Sequence, residues 1–237
     1  MLFLNNVSKI YNSDSGNVDI TLRIDEGQVY GIVGPNGAGK TTLIRQILGF
    51  IKPDVGEVIL FGKNPFLNQK EIMKTSGYIS GEISLYESLT GIQYLMMISK
   101  LKGNVDWDFI EKLVDFFSLD INKKIKKMSK GMKQKVAIIS AVMHKPKLLV
   151  LDEPTSGLDI AASEQFKELL FRLKNDFRTT IIICSHIFDE IAKVCDKVGF
   201  LKDGRLIKEY DLKVAKIKEI EEELIQILKN KNVEDLF

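Results

Sequence analysis

Nine residues constrain this chain more than any others: Gly34-Pro35-Asn36-Gly37-Ala38-Gly39-Lys40-Thr41-Thr42. They satisfy G-x-x-x-x-G-K-[ST] at every required position. The flanks suit the pattern. Val29-Tyr30-Gly31-Ile32-Val33 is a short apolar run, as a buried strand requires. Residues 42–48 have helical spacing, and Gly49 stands where a helix ends. Glycines let the backbone wrap closely, so that successive N–H groups point inward at an anion. The helix N-terminus adds partial positive charge at the same place. Gly34, Asn36, Gly37, Ala38, Gly39, Lys40, Thr41 and Thr42 are therefore candidate phosphate-binding residues. Lys40 is expected to reach the β- and γ-phosphates of a nucleotide, and the Thr41 hydroxyl to ligate Mg²⁺.

Composition bounds the rest. The chain has 237 residues and 45% apolar content, enough for a substantial core. Its 34 basic and 32 acidic side chains leave a net charge of +2, too balanced to argue for nucleic acid. No apolar run approaches the length of a membrane span, so a role at a membrane requires another chain to cross it. The start, Met1-Leu2-Phe3-Leu4-Asn5, lacks the basic and long apolar regions of a signal peptide. The two cysteines, Cys184 and Cys195, sit in apolar contexts and read as reduced core thiols. A cytoplasmic location follows as an expectation.

The order of patterns describes an α/β chain. Residues 18–24 alternate as a half-buried antiparallel strand, and Glu26-Gly27 turns the chain into the strand before the phosphate loop. Tyr11 is placed in a preceding loop. A turn at residues 53–56 leads into a strand at 57–61. From about 78 to 144 the character is helical, at 95–98, 109–117 and 136–143, as an inserted helical subdomain would be. Seven lysines between Lys123 and Lys135 read first as a solvated face. Helices are expected at 161–174 and 188–194, a buried strand at 179–184, and a hairpin at 197–207 turned by Asp203-Gly204. The tail from about 212 to 229 places Val214, Ile217, Ile220, Leu224, Ile227 and Leu228 on one helical face. That stripe reads first as core packing, with a partner contact as the alternative.

Acids at strand ends supply the chemistry. Lys147-Leu148-Leu149-Val150-Leu151 runs into Asp152-Glu153. Asp152 is placed to bind Mg²⁺, and Glu153 to polarise an attacking water as general base. His186 closes a neighbouring strand, where it is expected to reach the γ-phosphate or hold the water. His144, before Lys145-Pro146, reads as structural.

Together these motifs resemble an ATP-binding-cassette (ABC) ATPase over residues 1 to about 210. The resemblance implies a P-loop core with a mixed parallel sheet, an N-terminal antiparallel β subdomain and the inserted helical subdomain at 78–144. An amphipathic helix and tail follow over 211–237. Met128-Ser129-Lys130-Gly131-Met132-Lys133-Gln134-Lys135 is similar to the family signature L-S-G-G-Q, with Lys130 at the first glycine and Met132 at the Gln. By that resemblance Ser129 and Gly131 act in trans, facing ATP held by the other cassette of a dimer, and Asp159 of Ser156-Gly157-Leu158-Asp159 belongs to the loop connecting the two sites. His186 matches the switch histidine, and Tyr11 the aromatic that stacks on adenine. The family usually has a Gln at the start of the helical subdomain, where this chain has Gly81 followed by Glu82. Gly81 offers no ligand side chain. Either Glu82 substitutes at the metal, a water fills in, or coupling is altered.

The segment Leu85-Tyr86-Glu87-Ser88-Leu89-Thr90 and the variant signature resemble cassettes of bacterial drug, antibiotic or polysaccharide exporters. The implied protein is a Mg-dependent ATPase that powers transport, with export as its direction. Its implied partners are separate transmembrane permease subunits and a second cassette, identical or related, at the inner face of the membrane. No nucleic acid is expected as a partner. The rival readings are a soluble nucleic-acid- or ribosome-associated ABC protein and a regulatory cassette with weak hydrolysis. The 112 positions from Lys40 to Asp152 are too few for the long coiled coil of DNA-maintenance members.

Overall fold

In the computed structural model, residues 1–12, 15–103 and 105–228 are described. Two sheets organise them. Strands β1 (Leu2–Asn12), β2 (Ser15–Ile24) and β4 (Val55–Leu60) form an antiparallel sheet in the order β2-β1-β4. The larger sheet is made of β3 (Val29–Val33), β5 (Ser76–Ile79), β6 (Leu148–Asp152), β7 (Thr180–Ser185), β8 (Lys197–Lys202) and β9 (Arg205–Asp211). Its order is β5-β6-β7-β3-β8-β9, parallel throughout except for the antiparallel β8–β9 edge.

The central strands read as unbroken apolar runs because both of their faces are covered. Alternate residues feed two cores. Leu149, Leu151, Ile181 and Ile183 join the helices on one side. Leu148, Val150, Ile182 and Cys184 join the small sheet and α1 (Lys40–Ile47) on the other. Cys184 and Cys195 are free thiols, and burial pushes the Cys184 thiol well up.

One strand assignment differs from the sequence reading. Tyr11 lies within β1, not in a loop, because β1 continues to Asn12 against β2. β2 is antiparallel as expected, with β1 as its partner, and the turn at 25–28 carries the chain from one sheet to the other. Asp203 and Gly204 both have positive φ, 48° and 74°, as a tight hairpin turn requires.

Helices α3 (Gly91–Lys102), α4 (Trp107–Phe116) and α5 (Lys130–Val142) follow β5 and pack beside the sheet. Before β5 lies α2 (Gln69–Thr75), a helix that sequence reasoning missed. α6 (Ile160–Phe177) and α7 (Phe188–Ala192) fill the crossovers around β7. α8 (Ile217–Leu228) buries Ile220 and Leu224 in the core, while Ile217 and Leu228 are exposed. Val214 precedes the helix and is exposed. Lys229, the last residue of the expected tail helix, lies outside the described residues, as do 230–237.

Candidate functional site

The C-terminal ends of β6, β7 and β3 are adjacent, and each ends in residues singled out above. Parallel α/β sheets bind ligands at this edge. An open cleft of about 1030 Å³ lies there. It brings together Tyr11, Asn36, Gly37, Ala38, Gly39, Lys40, Thr41, Thr42, Glu82, Asp152, Glu153 and His186.

The loop between β3 and α1 owes its shape to its glycines. Gly37 and Gly39 have φ of 83° and 98°. A Cβ on Gly39 would stand 2.5 Å from the Asn17 amide nitrogen and 2.7 Å from the Gly16 carbonyl oxygen. Asn17, fully buried at the start of β2, donates to the Gly39 carbonyl at 3.2 Å. The β8–β9 turn supports the other side, with the Gly204 N–H donating to the Ala38 carbonyl at 3.1 Å. Lys40 Nζ donates to the carbonyls of Gly34 (2.6 Å) and Pro35 (3.2 Å), so its ammonium is folded back over the loop.

Behind the loop, the Thr41 hydroxyl donates to Asp152 Oδ2 at 3.0 Å. Burial pushes the Asp152 carboxyl up. The Thr41 hydrogen bond opposes that, Glu153 adds to it, and Lys40 and Arg45 pull it down. Two hard oxygen donors side by side suit Mg²⁺, which prefers one or two protein oxygens with phosphates and waters completing its shell. Among the described residues there is no group of three or more His, Cys, Asp and Glu that would hold a metal by protein ligands alone. Gly81 lies beside this pair: a Cβ there would sit 3.5 Å from Asp152 Cγ and Oδ2, an ordinary contact. Gly81 lines the cleft and offers no side-chain ligand there. Glu82 lines the cleft and is exposed.

Glu153 has left-handed backbone, φ 48°, sparsely populated for a non-glycine residue. Its N–H still donates to the Cys184 carbonyl at 2.9 Å, so the strand edge holds it. Its Oε1 accepts from the His186 N–H (3.0 Å) and from the His186 ring Nδ1 (2.9 Å). Its Oε2 receives only a 3.4 Å contact from the Ser185 hydroxyl.

Other expected residues lie off the cleft. Ser129 caps α5, accepting from the Met132 N–H at 3.2 Å, with Gly131 in the first turn. Asp159 caps α6, accepting from the Ala162 N–H at 2.8 Å. None of the three lines the cleft. Gly34 contributes its carbonyl to Lys40 but does not line it either.

The cleft also uses Ser156, the first residue of the loop motif named above, and residues that sequence reasoning missed: Ser15, Gly16, Arg45, Tyr78, Ser80, Thr155, Ile187 and Glu190. Arg45 was accessible through helical spacing, four residues after Thr41. Ser15 and Gly16 carry no local signal, because only the packing of β2 against the loop brings them in.

The sequence and the fold are similar to those of known proteins. The model of the family described as "ABC transporter" matches residues 18–156. The bacitracin transport ATP-binding protein BcrA of Bacillus licheniformis is 38% identical over 205 residues, covering 86% of this chain and 67% of BcrA. A solved ATP-binding subunit of an ABC transporter superposes with a TM-score of 0.85 at 27% identity, covering 95% of this chain and 99% of that one. A dimeric ATP-binding cassette in a post-hydrolysis state with ADP and Pi superposes at 0.81 with 25% identity, covering 90% and 99%.

Proposed function

The chain belongs to the ABC transporter family as an ATP-hydrolysing subunit that powers transport, and we propose that it drives export through separate membrane-spanning subunits. The observation that carries the ATPase chemistry is the convergence, in one cleft, of the phosphate loop, the Thr41–Asp152 pair and the Glu153–His186 pair.

On this reading the loop N–H groups and Lys40 hold the phosphates of ATP, and Tyr11 stacks on the adenine. Thr41 and Asp152 would hold Mg²⁺, with Glu82 as the further candidate ligand, and the ion would supply positive charge against the phosphates. Glu153 takes a proton from water as the water oxygen bonds to the γ-phosphorus and the bond to the bridging oxygen of ADP breaks. Support for the base assignment lies in the split of its two oxygens. Oε1 is occupied by two donors from His186, while Oε2 retains a lone pair for water. His186 orients Glu153. Ser129, Gly131 and Asp159 act across a cassette dimer, which fits their position off the chain's own cleft.

Among the described residues, no helix is long and apolar enough to cross a membrane. Transport therefore calls for partner chains that span it, with this subunit at the cytoplasmic face. Since BcrA is a bacitracin transport protein, an antibiotic is the cargo class we propose. The test is isolation of the chain from a detergent extract of its native host. A stoichiometric multi-span membrane protein is the expected companion. Ribosomes or nucleic acid without a membrane protein would overturn the proposal.

A further inference from the structure

Lys130, where the family signature has a glycine, does not point into solvent alone. Its Nζ donates to the Ser156 hydroxyl at 3.0 Å. Its stem lies on Gly157, where an added Cβ would come within 2.8–2.9 Å of three of the lysine's methylene carbons. One turn along α5, Gln134 is buried and its side-chain amide donates to the Pro154 carbonyl at 2.5 Å. Residues four apart share a helix face. That face of α5 therefore grips the segment after β6 at two alternate positions, 154 and 156. The segment is itself compact, with the Ser156 N–H donating to the Glu153 carbonyl at 3.2 Å. On its other side, the Thr155 hydroxyl donates to Glu190 at 3.0 Å.

We infer that Lys130 and Gln134 are positioning residues: together they clamp residues 154–157 to the start of α5 and thereby set the placement of Glu153. Pro154 follows directly on Glu153, whose left-handed backbone depends on what holds it. A shift of α5 would reach Glu153 through two hydrogen bonds and one residue of chain. Lys130 thus does work at this position that glycine cannot. It ties the helical segment to the segment bearing the general base, and Ser156 borders the nucleotide cleft itself.

The inference rests on the ATPase reading for its kinetic consequence but not for the contact. The experiment compares Lys130→Met, which keeps the stem and removes the donor, with Ser156→Ala and the double variant. Loss of one hydrogen bond that orients a catalytic group is expected to lower kcat roughly three- to tenfold. KM for ATP in Lys130→Met should stay within about twofold, since Lys130 does not line the cleft. The double variant should be no worse than either single, because both remove the same bond. Amides of residues 155–158 should exchange faster in Lys130→Met, and Lys130→Arg should restore both rate and protection. Multiplying losses in the double variant, an effect on KM alone, or unchanged kcat and exchange in Lys130→Met would each overturn the clamp. Absence of ATPase activity in the unmutated chain would instead reject the ATPase reading, and amide exchange would then decide the clamp alone.

Discussion

Glu153 combines strained backbone with a carboxylate held from one side, and that geometry makes a specific prediction. Gln in its place keeps the shape and an acceptor oxygen but cannot take a proton. Glu153→Gln should bind ATP with affinity within about threefold of the unmutated chain, while hydrolysis falls roughly a hundredfold or more. Wild-type turnover in that variant, measured as phosphate release, would remove Glu153 from the base role. The second histidine behaves differently. His144 Nε2 lies 3.1 Å from the Ser76 carbonyl. Its pKa is lowered to about 4: burial is the main cause, the Lys102 charge adds to it, and the Ser76 carbonyl opposes. In the unfolded chain the same ring titrates near its ordinary 6.5, so the unfolded state binds the extra proton between 6.5 and 4. Stability from this residue is full above pH 6.5 and is lost progressively as pH falls to about 4, by up to roughly 3 kcal/mol. His144→Gln, which keeps a donor for Ser76, should flatten the urea-unfolding free energy across that window. An unchanged slope would mean that other groups carry the acid limb.

At the scale of elements, what was legible depended on how local the cause is. The phosphate loop, the acids after β6 and the histidine after β7 sit beside their own strands, so chain order alone placed Lys40, Asp152, Glu153 and His186 at one edge. α2 was missed because seven residues with one buried apolar side chain present almost no periodicity. The contribution of β2 was invisible for another reason. Nothing near Asn17 in sequence shows that its amide will meet Gly39, 22 positions later. Lys130 was visible as a departure from the signature, but its partner Ser156 is set by the docking of α5 on the strand-end segment. The buttress predicts a kinetic effect. Asn17 Oδ1 has no partner within the described residues, so Asn17→Ala removes one hydrogen bond together with one unsatisfied oxygen. Its stability should change by less than about 1 kcal/mol. KM for ATP should nevertheless rise several-fold with kcat nearly kept, because the loop loses its brace and the chemistry does not. Asn17→Asp places a buried acceptor against the Gly39 carbonyl and should destabilise the fold by about 1–3 kcal/mol, read as a lower urea midpoint. A silent Asn17→Asp would mean that β2 does not hold the loop.

The whole molecule presents two sets of groups with complementary chemistry. One is the cleft with Lys40 and Glu153; the other is the N-termini of α5 and α6, whose caps Ser129 and Asp159 do not line that cleft. The α5 N-terminus, with the Ser129 hydroxyl and the Gly131 N–H, is suited to a phosphate, yet neither residue lines the chain's own cleft. In the proposed dimer, two chains placed head to tail bring Ser129 and Gly131 of each to the cleft of the other. A dimeric cassette with ADP and Pi is among the solved structures similar to this chain. Glu153→Gln should then accumulate as a dimer when Mg-ATP is added, since the bridging ATP is not consumed, and light scattering should report a doubled mass. Ser129→Glu on that background sets a carboxylate where the γ-phosphate of the facing site would lie. It should abolish the dimer by like-charge repulsion while each chain still binds ATP in its own cleft. Dimer formation undiminished by Ser129→Glu would place the self-contact on another face. A Glu153→Gln chain that binds ATP but stays monomeric at all accessible concentrations would point to a related, non-identical cassette as its mate.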